Sequence, residues 1–75
     1  MLNLIDVTKT GKVICEIDGK YYRLIFWKNG EWYADQVERD QYGRWVTCDD
    51  DVWIIRGDKI VRRMIGWDKR EESYD

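Results

Sequence analysis

The sequence predicts a small all-β domain, an antiparallel meander of six or seven short strands. Three turn dipeptides, Asp18-Gly19, Asn29-Gly30 and Gly57-Asp58, separate short runs rich in Tyr, Trp, Ile and Val. The tight turn of a β-hairpin needs residues that tolerate positive φ, and these dipeptides do. The chain also contains no proline that would interrupt strand pairing. Such a meander forms either a curled sheet or a small barrel.

Each strand is bounded by a turn or a polar loop. The expected strands are residues 2–8, 13–17, 20–27, 31–38, 44–48, 52–56 and 59–65. A change of phase between Leu4 and Ile5 indicates a β-bulge in the first strand. The last strand has an alternative, because its apolar residues recur at a spacing of four, Asp58 is a helix-capping residue type and Gly66 a helix-ending one. Its Ile-Val pair beside a Gly-Asp turn favours a strand, and a short helix stays open.

Length and charge set the class of protein. We expect one domain over residues 1–67 and a polar, charged tail over residues 68–75, because 75 residues support a single small core. Thirteen Lys and Arg against fifteen Asp and Glu give a net charge of −2. This balance indicates neither a nucleic-acid-binding protein nor a strongly acidic mimic of nucleic acid.

Cysteine usage and hydropathy indicate a cytoplasmic protein. The start of the chain has neither a basic segment nor the apolar stretch of a signal peptide, and no run approaches the length of a membrane span. Cys15 and Cys48 do not form a CxxC motif, and without histidine a zinc site would lack ligands. We expect both thiols to be free, with a disulfide between them as the alternative, and we expect no cofactor.

Turn geometry predicts which side chains share a face. Two-residue loops would place Cys15 opposite Tyr22, and Trp27 opposite Trp32. One predicted core face then contains Val13, Cys15, Tyr22, Leu24, Phe26, Tyr33 and Val37. The same register sets Asp35 opposite Leu24, so either Asp35 lies at the margin of the sheet or a bulge shifts the strand there.

The opposite face is predicted to carry an aromatic patch. It would contain Ile14, Glu16, Tyr21, Arg23, Ile25, Trp27, Trp32, Ala34, Gln36 and Glu38. This face is more apolar than contact with solvent requires. Either a barrel or the last hairpin covers it, or Trp27, Trp32 and Ile25 stay partly exposed as a docking patch.

The last hairpin is apolar on both faces. Its two-residue loop would pair Ile55 with Ile60, Trp53 with Arg62, Ile54 with Val61, and Val52 with Arg63. Trp53 and Arg62 would then form a cation–π contact. A second chain would cover the exposed face, so a homodimer is a further hypothesis.

The residue types for catalysis are sparse. Without histidine, the usual general base near neutral pH is absent. Cys15 is expected to pack in the core, and the neighbouring aspartates disfavour a thiolate at Cys48. Asp49-Asp50-Asp51 is interpreted as a polar turn, because no further ligand pattern surrounds it. We therefore expect no enzymatic activity and no metal site.

The sequence thus favours a non-catalytic module that binds another protein through aromatic residues. Small domains of this kind suit an inhibitor or adaptor, for example one encoded by a phage or mobile element. The expected binding residues are Tyr21, Arg23, Trp27, Trp32, Trp53, Arg62 and Arg63.

A single-stranded nucleic-acid-binding barrel is the alternative function. Its bases would stack on a platform of Tyr21, Arg23, Trp27 and Trp32. The phosphates would meet Arg56, Lys59, Arg62 and Arg63. Glu16 and Glu38, which are expected on the same face as the platform, argue against it.

Overall fold

The fold is a single antiparallel sheet of seven strands. The computed structural model describes residues 2–66. Its strands are β1 (Asn3–Val7), β2 (Val13–Ile17), β3 (Lys20–Lys28), β4 (Glu31–Arg39), β5 (Trp45–Thr47), β6 (Val52–Arg56) and β7 (Lys59–Met64). The all-β prediction is confirmed, and β7 is a strand, so the helical alternative for that segment is wrong. The tail predicted over residues 68–75 lies outside the described residues.

The sheet is open. Its strand order is β1-β2-β3-β4-β6-β7, and β5 pairs with β4 beside this path. The nine residues of β4 make this possible, because residues 32–34 pair with β6 and residues 37–39 pair with β5. Within residues 2–66, β1 and β7 are therefore the outer strands, and the sheet does not close into a barrel.

The three predicted turns join consecutive strands with the expected backbone geometry. Positive φ occurs at both residues of Asp18-Gly19 and of Asn29-Gly30, as a type I′ turn requires. In Gly57-Asp58 the positive φ falls on the glycine, the first central position, as in a type II′ turn. The pairs next to these turns, such as Trp27 with Trp32, follow the predicted register.

Three register shifts interrupt the ladders. The shift in β1, between Leu4 and Asp6, confirms the bulge expected from the sequence. The shift in β3, between Leu24 and Phe26, leaves Ile25 without an opposite residue in β4. The shift between β6 and β7 displaces every pair beyond Ile55 and Ile60 by one residue.

The shift in β3 overturns part of the predicted core face. Successive side chains of a strand point to opposite faces, and paired residues share a face. Because Leu24 pairs with Ala34 and Phe26 pairs with Tyr33, these two pairs lie on opposite faces. Phe26, Tyr33 and Val37 were predicted beside Cys15, Tyr22 and Leu24. That prediction is wrong, because it assumes a β3 register without a bulge, which places Phe26 on the same face as Leu24.

Both faces of the sheet bury apolar side chains. We name them the Ala34 face and the Asp35 face after two neighbouring residues of β4. The Ala34 face holds the cluster of Cys15, Ile17, Tyr22, Leu24, Ala34 and Ile55. The Asp35 face buries Ile14, Val37, Val52 and Ile54. Ile54 and Ile55 are adjacent in β6, point to opposite faces and are both 0% exposed, so neither face of this sheet is a simple solvated one.

Contacts between distant strands cover part of the Asp35 face. Trp45 of β5 donates its indole N–H to an Asp6 carboxylate oxygen of β1, at 2.9 Å and across 39 positions of sequence. Its ring also packs against Tyr21 of β3, with centroids 5.3 Å apart. The Trp45 and Val7 hydrogen bonds lower the pKa of Asp6. β1 and β5 are thereby held together across the strands between them.

Ile54→Val and Ile55→Val test burial on both faces. Each substitution should lower the free energy of unfolding by about 0.5–1.5 kcal/mol, because each removes a fully buried methylene. The matched control is Ile65→Val at an exposed residue, which should change it by less than about 0.5 kcal/mol. Urea denaturation followed by circular dichroism measures all three. A control-sized effect at either buried position would contradict burial of that face.

Candidate functional site

Two tryptophans form the most exposed aromatic feature of the Ala34 face. Trp27 ends β3 and Trp32 begins β4, so the Asn29-Gly30 turn sets them directly opposite each other. Their rings meet edge to face with centroids 5.3 Å apart. Trp27 is 57% exposed, whereas Trp32 is partly buried against the core cluster. One indole is thus held by the core and supports the other at the surface.

Trp53 and Arg63 lie on the same face, along β6 and β7. Trp53 pairs with Ala34 on one side and with Arg63 on the other. Its ring packs edge to face on Tyr22 at 5.8 Å, and the Arg63 guanidinium lies 4.4 Å from its centroid. Arg63 also donates to Asp51 at 2.6 Å. A cation–π contact of Trp53 was predicted, but the partner is Arg63.

The register of the last hairpin explains this correction. Val61 bulges out of β7, so Arg62 pairs with Ile54 and Arg63 with Trp53. The predicted pairs of Ile54 with Val61 and of Trp53 with Arg62 are therefore wrong, as is that of Val52, which pairs with Met64 in place of Arg63. The bulge moves Arg62 to the Asp35 face.

Arg62 is part of an ion cluster centred on Glu31. The Glu31 carboxylate is buried and accepts hydrogen bonds from Arg62 at 2.8 Å and from Arg56 at 3.0 Å. The Arg62 hydrogen bond is the largest influence that lowers the pKa of Glu31. The same contact raises the pKa of Arg62. Glu31 of β4 thus forms ion pairs with Arg56 of β6 and Arg62 of β7.

Tyr21 and Arg23 lie on the Asp35 face, away from Trp27 and Trp32. Arg23 pairs with Asp35 and donates to it at 2.8 Å, while Tyr21 packs on Trp45. The predicted grouping of all four side chains on one face is wrong, because the bulge at Ile25 reverses the alternation between Arg23 and Trp27. The same bulge resolves the predicted conflict of Asp35 with Leu24.

The seven expected binding residues thus fall into two groups. Trp27, Trp32, Trp53 and Arg63 share the Ala34 face, and Tyr21, Arg23 and Arg62 share the Asp35 face. Sequence reasoning missed the group around Trp45, Asp6 and Arg39. Arg39 lies 4.3 Å from the Trp45 ring centroid and 3.5 Å from Asp6. No local signal pointed to this group, because Asp6 lies 39 positions from Trp45 in the sequence.

The two thiols are free, as expected. Cys15 is fully buried, and burial raises its pKa to about 11. Cys48 is exposed, and slight burial with nearby carboxylates raises its pKa. Neither thiol has the electropositive surroundings of a nucleophilic cysteine.

Two of the three aspartates after Cys48, Asp49 and Asp51, form hydrogen bonds within the fold. The Asp51 carboxylate is buried and accepts hydrogen bonds from Arg63 and from the backbone of Gly66. Asp49 accepts a hydrogen bond from the backbone of Asp51 at 3.0 Å. Over residues 2–66, no group of Cys, Asp and Glu side chains is arranged to hold a metal ion.

Comparison with known proteins found no matching family model, curated protein or solved structure. The described part of the chain contains no helix that could cross a membrane.

Glu31→Gln tests the ion cluster through its pH dependence. The pKa of Glu31 lies below its ordinary value of 4.5 in the folded protein, so its charge stabilises the fold above that value. This contribution is lost as pH falls through the lowered pKa. Glu31→Gln should therefore be less stable than wild type at pH 7, with the difference shrinking below about pH 4.5. Urea unfolding across this range measures it; an unchanging difference, or none, would contradict the cluster. Glu38→Gln, at an exposed site, is the control.

Thiol reactivity tests the two cysteine environments. At pH 8, Ellman's reagent should modify one thiol per native chain, Cys48, and two after unfolding. Cys48→Ser should abolish the reaction of the native protein. Rapid reaction of two thiols in the native wild type would contradict the burial of Cys15.

Proposed function

We propose that this chain is a non-catalytic module that binds another protein through the Ala34 face, with Trp27 as the anchor. The observation that carries the proposal is the exposure of the Trp27 indole beside the half-buried Trp32. Tryptophans in such positions are enriched among residues that dominate the energy of protein interfaces.

The exposed area of Trp27 is large enough to matter. A tryptophan buries about 200 Å² when it is fully covered. With Trp27 57% exposed, more than half of that area, about 110 Å², is left for a partner to cover. At about 25 cal/mol per Å² this amounts to about 3 kcal/mol. Contact with Trp32 already orients the ring, so binding costs less side-chain entropy than for an isolated side chain.

Trp53 and Arg63 supply the second part of the proposed surface. The Arg63 guanidinium covers the Trp53 ring and is fixed by Asp51, so this pair presents a planar, charged rim beside the apolar centre. Interfaces combine an apolar centre with such a polar rim. The proposed surface does not include Tyr21, Arg23 and Arg62. These residues lie on the opposite face and contact Trp45, Asp35 and Glu31, respectively.

The chemistry of the chain supports binding over catalysis. It has no histidine, and the pKa values of both thiols are raised. A small domain with one anchored surface suits an inhibitor or adaptor, such as one encoded by a phage or mobile element. Two free thiols fit the reducing cytoplasm as its setting. Binding of single-stranded nucleic acid, the alternative function, is no longer favoured, because the four residues of the expected base-stacking platform do not share a face.

Trp27→Ala tests the proposed anchor against a matched aromatic control. Tyr42 lies in the loop between β4 and β5 and is 72% exposed, so Tyr42→Ala removes a similarly exposed ring elsewhere. Immobilised wild type and both variants are used to capture partners from cytosol, and the affinity of the purified partner is then measured. Trp27→Ala should weaken binding by about 30-fold or more, while Tyr42→Ala should leave it unchanged.

Two results would contradict the proposal. One is a partner that binds Trp27→Ala as tightly as wild type while circular dichroism shows both to be folded. The other is sedimentation that shows self-association of the wild type, lost in Trp27→Ala, because the occupant of this face would then be a second copy of the chain.

A further inference from the structure

A second site, unrelated to the Trp27 surface, lies where the ends of β1 and β4 approach each other. We propose that this cleft binds the phosphate group of a small phosphate monoester. The cleft, which we name the Arg39 cleft, has a volume of about 410 Å³. It is lined chiefly by Thr8, Lys9, Arg23, Arg39, Arg44 and Trp45. Its volume falls in the range of small-molecule sites and exceeds what a bare phosphate needs.

Cationic side chains reach the cleft from four separate parts of the chain. Lys9 lies in the turn after β1, Arg23 in β3, Arg39 at the end of β4, and Arg44 just before β5. Guanidinium groups match the oxygens of phosphate with paired N–H donors, which is why arginine predominates in phosphate sites. At the cleft, the hydrogen bond from Trp45 to Asp6 connects β5 with β1.

The arginines are positioned by contacts that leave donors available. Arg23 donates to Asp35 through one terminal nitrogen, and Arg44 donates to Asp40 through Nε, both at 2.8 Å. Each guanidinium has five N–H groups, so one such contact fixes the group without exhausting it. Arg39 is held more firmly, with the Gly43 carbonyl at 2.6 Å.

The other walls of the cleft suit an ester. Thr8 and Thr10 line the cleft and share a hydrogen bond between their hydroxyl oxygens, 3.1 Å apart. The hydroxyl that accepts this bond keeps its own O–H, which can donate to a phosphate oxygen. Trp45 supplies apolar surface next to the cations, where the organic part of a monoester would rest.

The residues that line the cleft, together with the carboxylates that pair with its arginines, carry a small excess of positive charge. Lys9, Arg23, Arg39 and Arg44 are opposed by Asp6 in the lining and by Asp35 and Asp40 behind two of the arginines. Four positive charges against three negative ones leave an excess of one positive charge, in a chain whose net charge is −2. An anion is therefore attracted to this position more than to the average surface.

Titration followed by NMR tests the proposal on the intact protein. The Trp45 indole N–H, which donates to Asp6 inside the cleft, serves as the reporter. Phenyl phosphate should shift this signal and saturate, and acetate at equal ionic strength should not. Saturation by inorganic phosphate at the same concentrations would identify free phosphate as the ligand source. Binding of phenyl phosphate about tenfold tighter would identify an ester.

Two arginine variants separate site binding from general charge. Arg44→Gln and Arg56→Gln each remove one cation paired with one carboxylate, and the two side chains are 69% and 66% exposed. Arg44→Gln should weaken phosphate binding about tenfold or more, by the loss of a charge-assisted hydrogen bond. Arg56→Gln, outside the cleft, should leave binding unchanged. Shifts that never saturate, or equal binding by both variants, would overturn the proposal.

Discussion

The displacement of one residue in β3 determines what each face of this protein presents. Ile25 has no opposite residue in β4, and the pairs on either side of it therefore lie on opposite faces. Without the bulge, Trp27 and Trp32 would share the face of Tyr21 and Arg23. With it, the two tryptophans lie on the face of Tyr22 and Leu24, where the core supports one ring beneath the other. Which residues of β3 lie beside the proposed binding surface therefore depends on this displacement.

The bulges also explain how a single sheet buries apolar residues on both of its faces. A bulge bends its strand and increases the local twist, so an open sheet can curl over its own side chains. Ile54 and Ile55 show the result, since both are fully buried although they point in opposite directions. The hydrogen bond from Trp45 to Asp6 then connects β5 with β1 and creates the Arg39 cleft.

The parts of the fold that local signals control could be predicted from the sequence. The Asn29-Gly30 turn predicts the pair of Trp27 with Trp32, and the phase change at Leu4 predicts the first bulge. The bulges at Ile25 and Val61 were missed, because each is set by packing across the sheet. The predicted conflict of Asp35 with Leu24 was the only sign of the bulge at Ile25. The bulge removes this conflict, because it pairs Asp35 with Arg23. The contact of Asp6 with Trp45 could not be predicted from the sequence, because it joins residues 39 positions apart.

Cross-strand nuclear Overhauser effects between the backbones of β3 and β4 test the displacement most directly. The structure predicts contacts that pair Arg23 with Asp35 and Phe26 with Tyr33, while Ile25 has no direct partner. An uninterrupted register, in which Tyr22 faces Val37 and Leu24 faces Asp35, would contradict it. Trp27 and Trp32 would then share the face of Tyr21 and Arg23, and the proposed binding surface would not lie over the core residues Tyr22 and Leu24.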